Sequence, residues 1–319
     1  MPTLHLTHQG GKLRLRSGRL VLTDPDGAVL HGVPARKVRR VVVHGKVALT
    51  TPALVFLLKN GASIHFVSLQ GERYGVASSI GFPDPQRFVR QLTLPADEQL
   101  ALAKAILSAK VRSQREYLRR SGIYQKYDAL SGFLRKMGDA RNLDELRGFE
   151  GMAGRAYFEG IASLLREAGF HGRRRRPPTD PVNAALSYAY AVLLSLATSA
   201  ILVAEVHPEI GVVHATGRRR SALALDLMEE FRVPVVDAPI VRAFKRGWLG
   251  HDDVRTDGRA VLLNTQGKKK VIESLERRLS AQPANADSDY RSLVFKQAER
   301  LASAIVHGKP YKAFALLRG

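Results

Sequence analysis

A chain of 319 residues, 45% of them hydrophobic, is too long for one ordinary core and too apolar for a disordered segment. Its 50 Lys and Arg against 29 Asp and Glu give a formal net charge of +21, and it has no cysteine. Disulfides, thiolate metal sites and cysteine nucleophiles are excluded, a reducing cytoplasm is the expected compartment, and such self-repulsion calls for a polyanionic partner, nucleic acid ahead of a membrane surface.

Residues 1 to about 80 read as β. LHLTH, KLRLRSGRLVLTD, RRVVVHG and ASIHFVSL alternate apolar and polar positions, with turns at Gly10-Gly11, Asp24-Pro25-Asp26-Gly27 and Gly45. One helix interrupts them, with Thr51 as its expected N-cap, Pro52 at the first helical position and Gly61 past its end. The proline-rich stretch Gly81–Pro95 is the expected boundary. It predicts a β-rich domain over 1–82, a linker over 83–96 and a larger, mainly α-helical domain over 97–319, an α+β fold overall. Helices are expected over Glu98–Tyr117, Asn142–Ala168, Asp180–Val206, Ser221–Phe231, Lys270–Leu279 and Tyr290–Val306. The longest apolar run, Ala184–Val206, is broken by Ser, Thr and Tyr and carries Glu205, so it reads as a buried helix and not a membrane span.

Within the second of these helices Glu150 follows Leu146 by four positions and precedes Ala153 and Tyr157 by three and seven, which puts it on the apolar stripe. Gly148, Gly151 and Gly154 surround it. Glycines inside a helix cost about 1 kcal/mol each relative to alanine, which implies close approach by another backbone or a ligand. A carboxylate on such a stripe is protonated, paired with a base or bound to a cation.

His214 ends the apolar segment Gly211-Val212-Val213 and precedes Arg218, Arg219 and Arg220; Ser221 is placed to cap the next helix, which carries Asp226, Glu229 and Glu230. A lone histidine is more often structural, but here carboxylates and a cationic turn surround it. Glu229, four residues after Leu225, falls at the edge of the buried face, and Glu230 is expected to be solvated or paired with an arginine. A Glu, His, Glu set suits magnesium or manganese, while zinc lacks both cysteine and an HExxH pair. The basic runs Arg173, Arg174, Arg175, Arg176 and Arg218, Arg219, Arg220, with Lys268–Lys270, favour phosphate contacts, and with 7% aromatics base stacking is secondary.

The strings LRGFEGMAGRAYFEG, RRPPTDPVNAALSYAYAVL, HPEIGVVHATGRRRSALALDLMEEFRVPVVD and KQAERLASAIVHGKPYKAF together resemble the universal CRISPR adaptation integrase, a metal-dependent DNA endonuclease that inserts new spacers into CRISPR arrays. The resemblance covers essentially the whole chain. It implies Glu150, His214 and Glu229 as catalytic metal ligands for Mg2+ or Mn2+, Asp226 as an additional acid near the site, and Asn183 as a helix-start residue beside it. It implies double-stranded DNA (a prespacer and a CRISPR repeat) as substrate, attack of the fragment's 3′-hydroxyl on a phosphodiester, a homodimer built through the β domain, a small ferredoxin-like partner protein and no membrane. The alternatives are a non-catalytic basic nucleic-acid-binding protein, or a metal-dependent nuclease of branched DNA or RNA.

Overall fold

The computed structural model describes residues 3–67, 73–79, 84–174, 177–216, 221–284 and 286–316. The chain divides into two compact units, Met1–Phe88 and Val89–Gly319.

The first unit contains strands β1 (Thr3–Leu6), β2 (Lys12–Arg16), β3 (Arg19–Thr23), β4 (Val29–Pro34), β5 (Arg40–His44) and β6 (Ala48–Leu49), helix α1 (Thr51–Lys59), and strands β7 (Ser63–Val67) and β8 (Arg73–Ala77). They form two four-stranded sheets among the described residues, ordered β1-β5-β7-β8 and β4-β3-β2-β6. β1, β5 and β7 run parallel, with α1 bridging β6 to β7. β5 reads RVVVH and is buried at every position, the continuous pattern of a central parallel strand. Leu6, Leu13, Leu20, Val41, Val43, Leu57 and Ile64, drawn from both sheets and α1, close one core. The N-cap of α1 is Thr50, one residue ahead of the expected Thr51, because Pro52 sits at the second helical position.

The second unit is helical. The boundary falls within α2 (Pro85–Leu92), which is followed by α3 (Ala96–Arg120), α4 (Tyr124–Asp139), α5 (Leu143–Leu164), α6 (Pro181–Val203), α7 (Ala222–Glu229) and α8 (Ala238–Lys245). A short hairpin, β9 (Val254–Asp257) with β10 (Ala260–Leu263), precedes α9 (Thr265–Leu279) and α10 (Tyr290–His307). The α+β class is thus observed. The segment 83–96, expected as a linker, instead carries α2: its prolines sit ahead of and after the helix or at its first residue, where no N–H is needed.

Caps set the helices that matter for the site. Asn142 accepts the Glu145 N–H at 2.9 Å to start α5, and Asp180 accepts the Asn183 N–H at 2.8 Å to start α6, with Pro181 next. Ser221 stands at the N-cap of α7 but makes no side-chain cap bond. α6 is by length and composition the one described helix apolar enough to cross a membrane. It packs against α7, α9 and α10, with Leu186, Leu196 and Ile201 fully buried. Between α7 and α8 the chain makes a π-helical turn, Arg232–Asp237, an element frequent beside functional sites.

Candidate active site

The apolar face of α3 runs through Ala103, Ile106 and Leu107 and continues, one turn on, to Lys110, whose side chain is 10% exposed. Its ammonium lies 2.5 Å from Glu150 Oε1 on α5 and 2.6 Å from Glu229 Oε2 at the end of α7. Arg232, the first residue of the π-helical turn, donates through Nε to the same Glu229 oxygen at 2.8 Å. Two carboxylates and two cations therefore meet at the junction of α3, α5, α7 and the π-helical turn. Burial disfavours the Glu229 charge, but Arg232 and Lys110 hold its carboxyl well below the usual range. Burial equally disfavours the Lys110 charge, and Glu229 and Glu150 overcome it, so that its pKa lies above that of a free lysine.

His214 is delivered to this junction by a rigid loop. Asp226, buried on α7, accepts the backbone N–H groups of Val212 at 2.6 Å, Val213 at 3.0 Å and His214 at 2.9 Å. The same carboxylate takes His214 Nδ1 at 2.6 Å. A carboxylate is an acceptor, so Nδ1 carries the proton and the Nε2 lone pair points elsewhere, 3.9 Å from Glu229 Oε1. Arg147, one turn before Glu150, donates to the Val213 carbonyl at 3.0 and 2.5 Å, and Gln99 donates to that of Val212 at 2.9 Å. Gly211 fits because a Cβ there would lie 2.3 Å from the His214 carbonyl oxygen and 2.8 Å from Ala222.

A cavity of about 480 Å³ opens beside the cluster, lined among others by Lys110, Glu150, Arg155, Arg173, Tyr190 and Arg232. Gly151 and Gly154 also line it, and an added Cβ on Gly151 would meet nothing within 4 Å. The glycines flanking Glu150 on this side thus keep a space open, which departs from close approach of another backbone and leaves the other expected reason, room for a ligand. The Tyr190 ring lies under both Arg173, at 5.5 Å, and Arg232, at 4.7 Å. Tyr190 and Tyr157 donate their hydroxyls to Asp237, the latter at 2.9 Å. Burial pushes the Asp237 carboxyl up to about 6 despite those bonds.

The structure brings Glu150 and Glu229 to one ammonium and turns His214 toward Glu229. Among the described residues no three His, Asp or Glu side chains already stand in a geometry that grips one metal ion, since Lys110 fills the space between the acids. The donor set nevertheless fits a hard divalent cation, because a positive charge already sits at the meeting point of two carboxylates with an imidazole nearby. Asp226 has both oxygens engaged by N–H donors, so it orients His214 instead of lying open as a ligand. Glu230 is a correction: it was expected in solvent or with an arginine, yet it is fully buried. It accepts from Gln297 Nε2 at 2.8 Å, the Phe314 N–H at 2.5 Å and the Tyr311 hydroxyl, which straps the C-terminal segment onto α7. Burial pushes its carboxyl up to about 7.

Asn183 is buried and ties the backbone ahead of α6, accepting from Arg174 N and donating to the Gly172 carbonyl. Arg173 donates to Asn183 and to Ser187 at 3.0 Å while facing the cavity, and Arg174 is exposed. Arg175, Arg176, Arg218, Arg219 and Arg220 lie outside the described residues. Sequence reasoning missed Lys110, Arg147 and Arg232. Lys110 had a signal: a lysine continuing an apolar stripe at helical spacing.

A family model described as CRISPR associated protein Cas1 matches residues 4–277. The protein called CRISPR-associated endonuclease Cas1 1 of Thermus thermophilus is 46% identical over 321 residues, covering 99% of this chain and 100% of that one. A chain in the partial Cas6-RT-Cas1–Cas2 complex superposes with a TM-score of 0.83 at 23% identity, over 99% of both chains. A casposase bound to integration product superposes with a TM-score of 0.81 at 20% identity, over 97% of this chain and 96% of that one. These two structural likenesses concern the fold.

Proposed function

The chain belongs to the Cas1 family of CRISPR-associated endonucleases, and we propose that it is a divalent-cation-dependent DNA endonuclease and integrase, which joins the 3′-hydroxyl of a captured DNA fragment to a phosphodiester of a CRISPR array. The observation that carries this reading is the convergence of Glu150 and Glu229 on one cation position, occupied by Lys110 Nζ at 2.5 and 2.6 Å, beside a cavity rimmed by arginines.

In this reading Glu150, Glu229 and His214 Nε2 hold Mg2+ or Mn2+. Bound there, the ion would supply Lewis-acid stabilisation of the charge that develops on the reacting phosphate. Asp226 keeps His214 in the tautomer that offers Nε2. Arg155, Arg173 and Arg232 line the cavity and would meet phosphate oxygens there, and the exposed Arg174 with Arg218, Arg219 and Arg220 would extend the contact along double-stranded DNA. The net charge of +21 supports a DNA partner. The neighbouring structures, one a complex with Cas2 and one a casposase on its integration product, support a small protein partner and strand joining. Val29 and Leu30, 62% and 44% exposed on the edge strand β4, support a homodimer made through the β unit. We place the reaction in the cytoplasm.

The test uses purified protein, a labelled prespacer and a repeat-bearing duplex. Nicking and strand joining appear with Mg2+ or Mn2+ and vanish with chelator. Glu150→Ala, His214→Ala and Glu229→Ala each lose chemistry and keep DNA affinity. Activity retained in two of the three overturns the assignment. A non-catalytic binder gives metal-independent, salt-sensitive binding alone, and a nuclease of branched DNA or RNA cuts those substrates without joining.

A further inference from the structure

We propose that Lys110 is a built-in counter-ion of this site: its ammonium holds Glu150 and Glu229 together in the metal-free protein, and a divalent cation enters only by moving it aside. The inference rests on the cation-dependent reading above and deepens it.

Lys110 Nζ touches one oxygen of each acid, at 2.5 and 2.6 Å. A small divalent ion takes carboxylate oxygens at about 2.0–2.2 Å, so it would need the same spot, and two positive charges cannot share it. Without a metal ion the lysine is the shared cation that holds the buried Glu229, 4% exposed, against the partly exposed Glu150, and removing one partner of such a pair is destabilising. The lysine is also able to leave. Its charge sits at the end of a flexible four-carbon stem, and its side chain lines the 480 Å³ cavity, which offers the displaced ammonium room on the side where phosphate oxygens would lie. Arg232 also donates to Glu229 at 2.8 Å, so that acid keeps a second cationic partner when the lysine moves. Lys110 is therefore a positioning residue whose removal affects the metal-free and metal-bound proteins in opposite directions.

The experiment measures Mn2+ binding and melting temperature for the full chain, its Lys110→Met and its Lys110→Gln variants, without DNA. Both variants melt lower than wild type when metal-free, recover more of that loss on adding Mn2+, and bind Mn2+ about tenfold tighter or better. In wild type, acylation of Lys110 by an N-hydroxysuccinimide ester, located by peptide mass spectrometry, rises severalfold at saturating Mn2+. Affinity unchanged or weakened in both variants overturns the proposal, as does unchanged labelling while Mn2+ binds. If neither variant folds, the wild-type labelling decides. Wild-type protein that binds no Mn2+ defeats the underlying reading as well, whereas wild-type binding with unaltered variants defeats the counter-ion role alone.

Discussion

Asp226 holds His214 at two atoms of the same residue, its ring Nδ1 at 2.6 Å and its backbone N–H at 2.9 Å, so the imidazole is fixed in tautomer and in place by one buried carboxylate. Asp226→Asn keeps the shape but turns an amide N–H₂ toward N–H donors. We expect a stability loss of about 1–3 kcal/mol for each donor left unsatisfied. Nuclease activity should fall well beyond what that loss explains, because the ring is then free to present its protonated nitrogen. Urea unfolding and strand cleavage measured on the same preparation check this, and activity that merely tracks folded fraction contradicts it.

Gly211→Ala acts on the same loop from the other side. The new Cβ would sit 2.3 Å from the His214 carbonyl oxygen, against backbone, which gives way only at a cost. The loop must shift, with a stability cost on the order of 1–3 kcal/mol and loss of cleavage while DNA binding persists. Wild-type cleavage by this variant would mean that the loop adapts and that His214 does not need its present seat.

The buried acids give stability a sign with pH. Glu230 is raised from 4.5 to about 7 and Asp237 from 3.8 to about 6, both by burial. A raised carboxyl binds its proton more tightly in the folded state. Its contribution is full below the unfolded pKa and is lost as pH rises through the folded one. Melting temperature should therefore decline between about pH 4.5 and about pH 7 on account of Glu230. Glu229, held low by Arg232 and Lys110 against its burial, contributes the opposite slope, lost as pH falls below the ordinary carboxylate range. Glu230→Gln removes the first slope. A Tm–pH curve for that variant as steep as wild type over the same window contradicts the burial assignment.

The residues legible in the sequence were those whose position follows from local periodicity. Glu150 was found because three neighbours at helical spacing, Leu146, Ala153 and Tyr157, placed it on the apolar face. His214 and Glu229 were found through the resemblance, supported by the acid-rich helix that follows the histidine. Lys110 was hidden among 50 basic residues, although it continues the buried stripe of α3. Glu230 was misassigned because its partners, Gln297, Tyr311 and Phe314, lie 67 to 84 residues away, beyond the reach of any helical-face argument. α4 escaped notice because Gly132 and Gly138 dilute its pattern, and α8 because it has only eight residues with a proline among the first. The hairpin β9–β10 carried its turn signal, Asp257-Gly258 with Gly258 at φ +59, but four-residue strands gave too little alternation to register.

The central claim is that Glu150, His214 and Glu229 share one divalent ion, and Mn2+ titration of the full chain followed by electron paramagnetic resonance tests it most directly. Saturable binding in wild type that is lost or strongly weakened in each of Glu150→Ala, His214→Ala and Glu229→Ala is the expected result. Wild-type affinity retained when any two of those side chains are removed one at a time would contradict it.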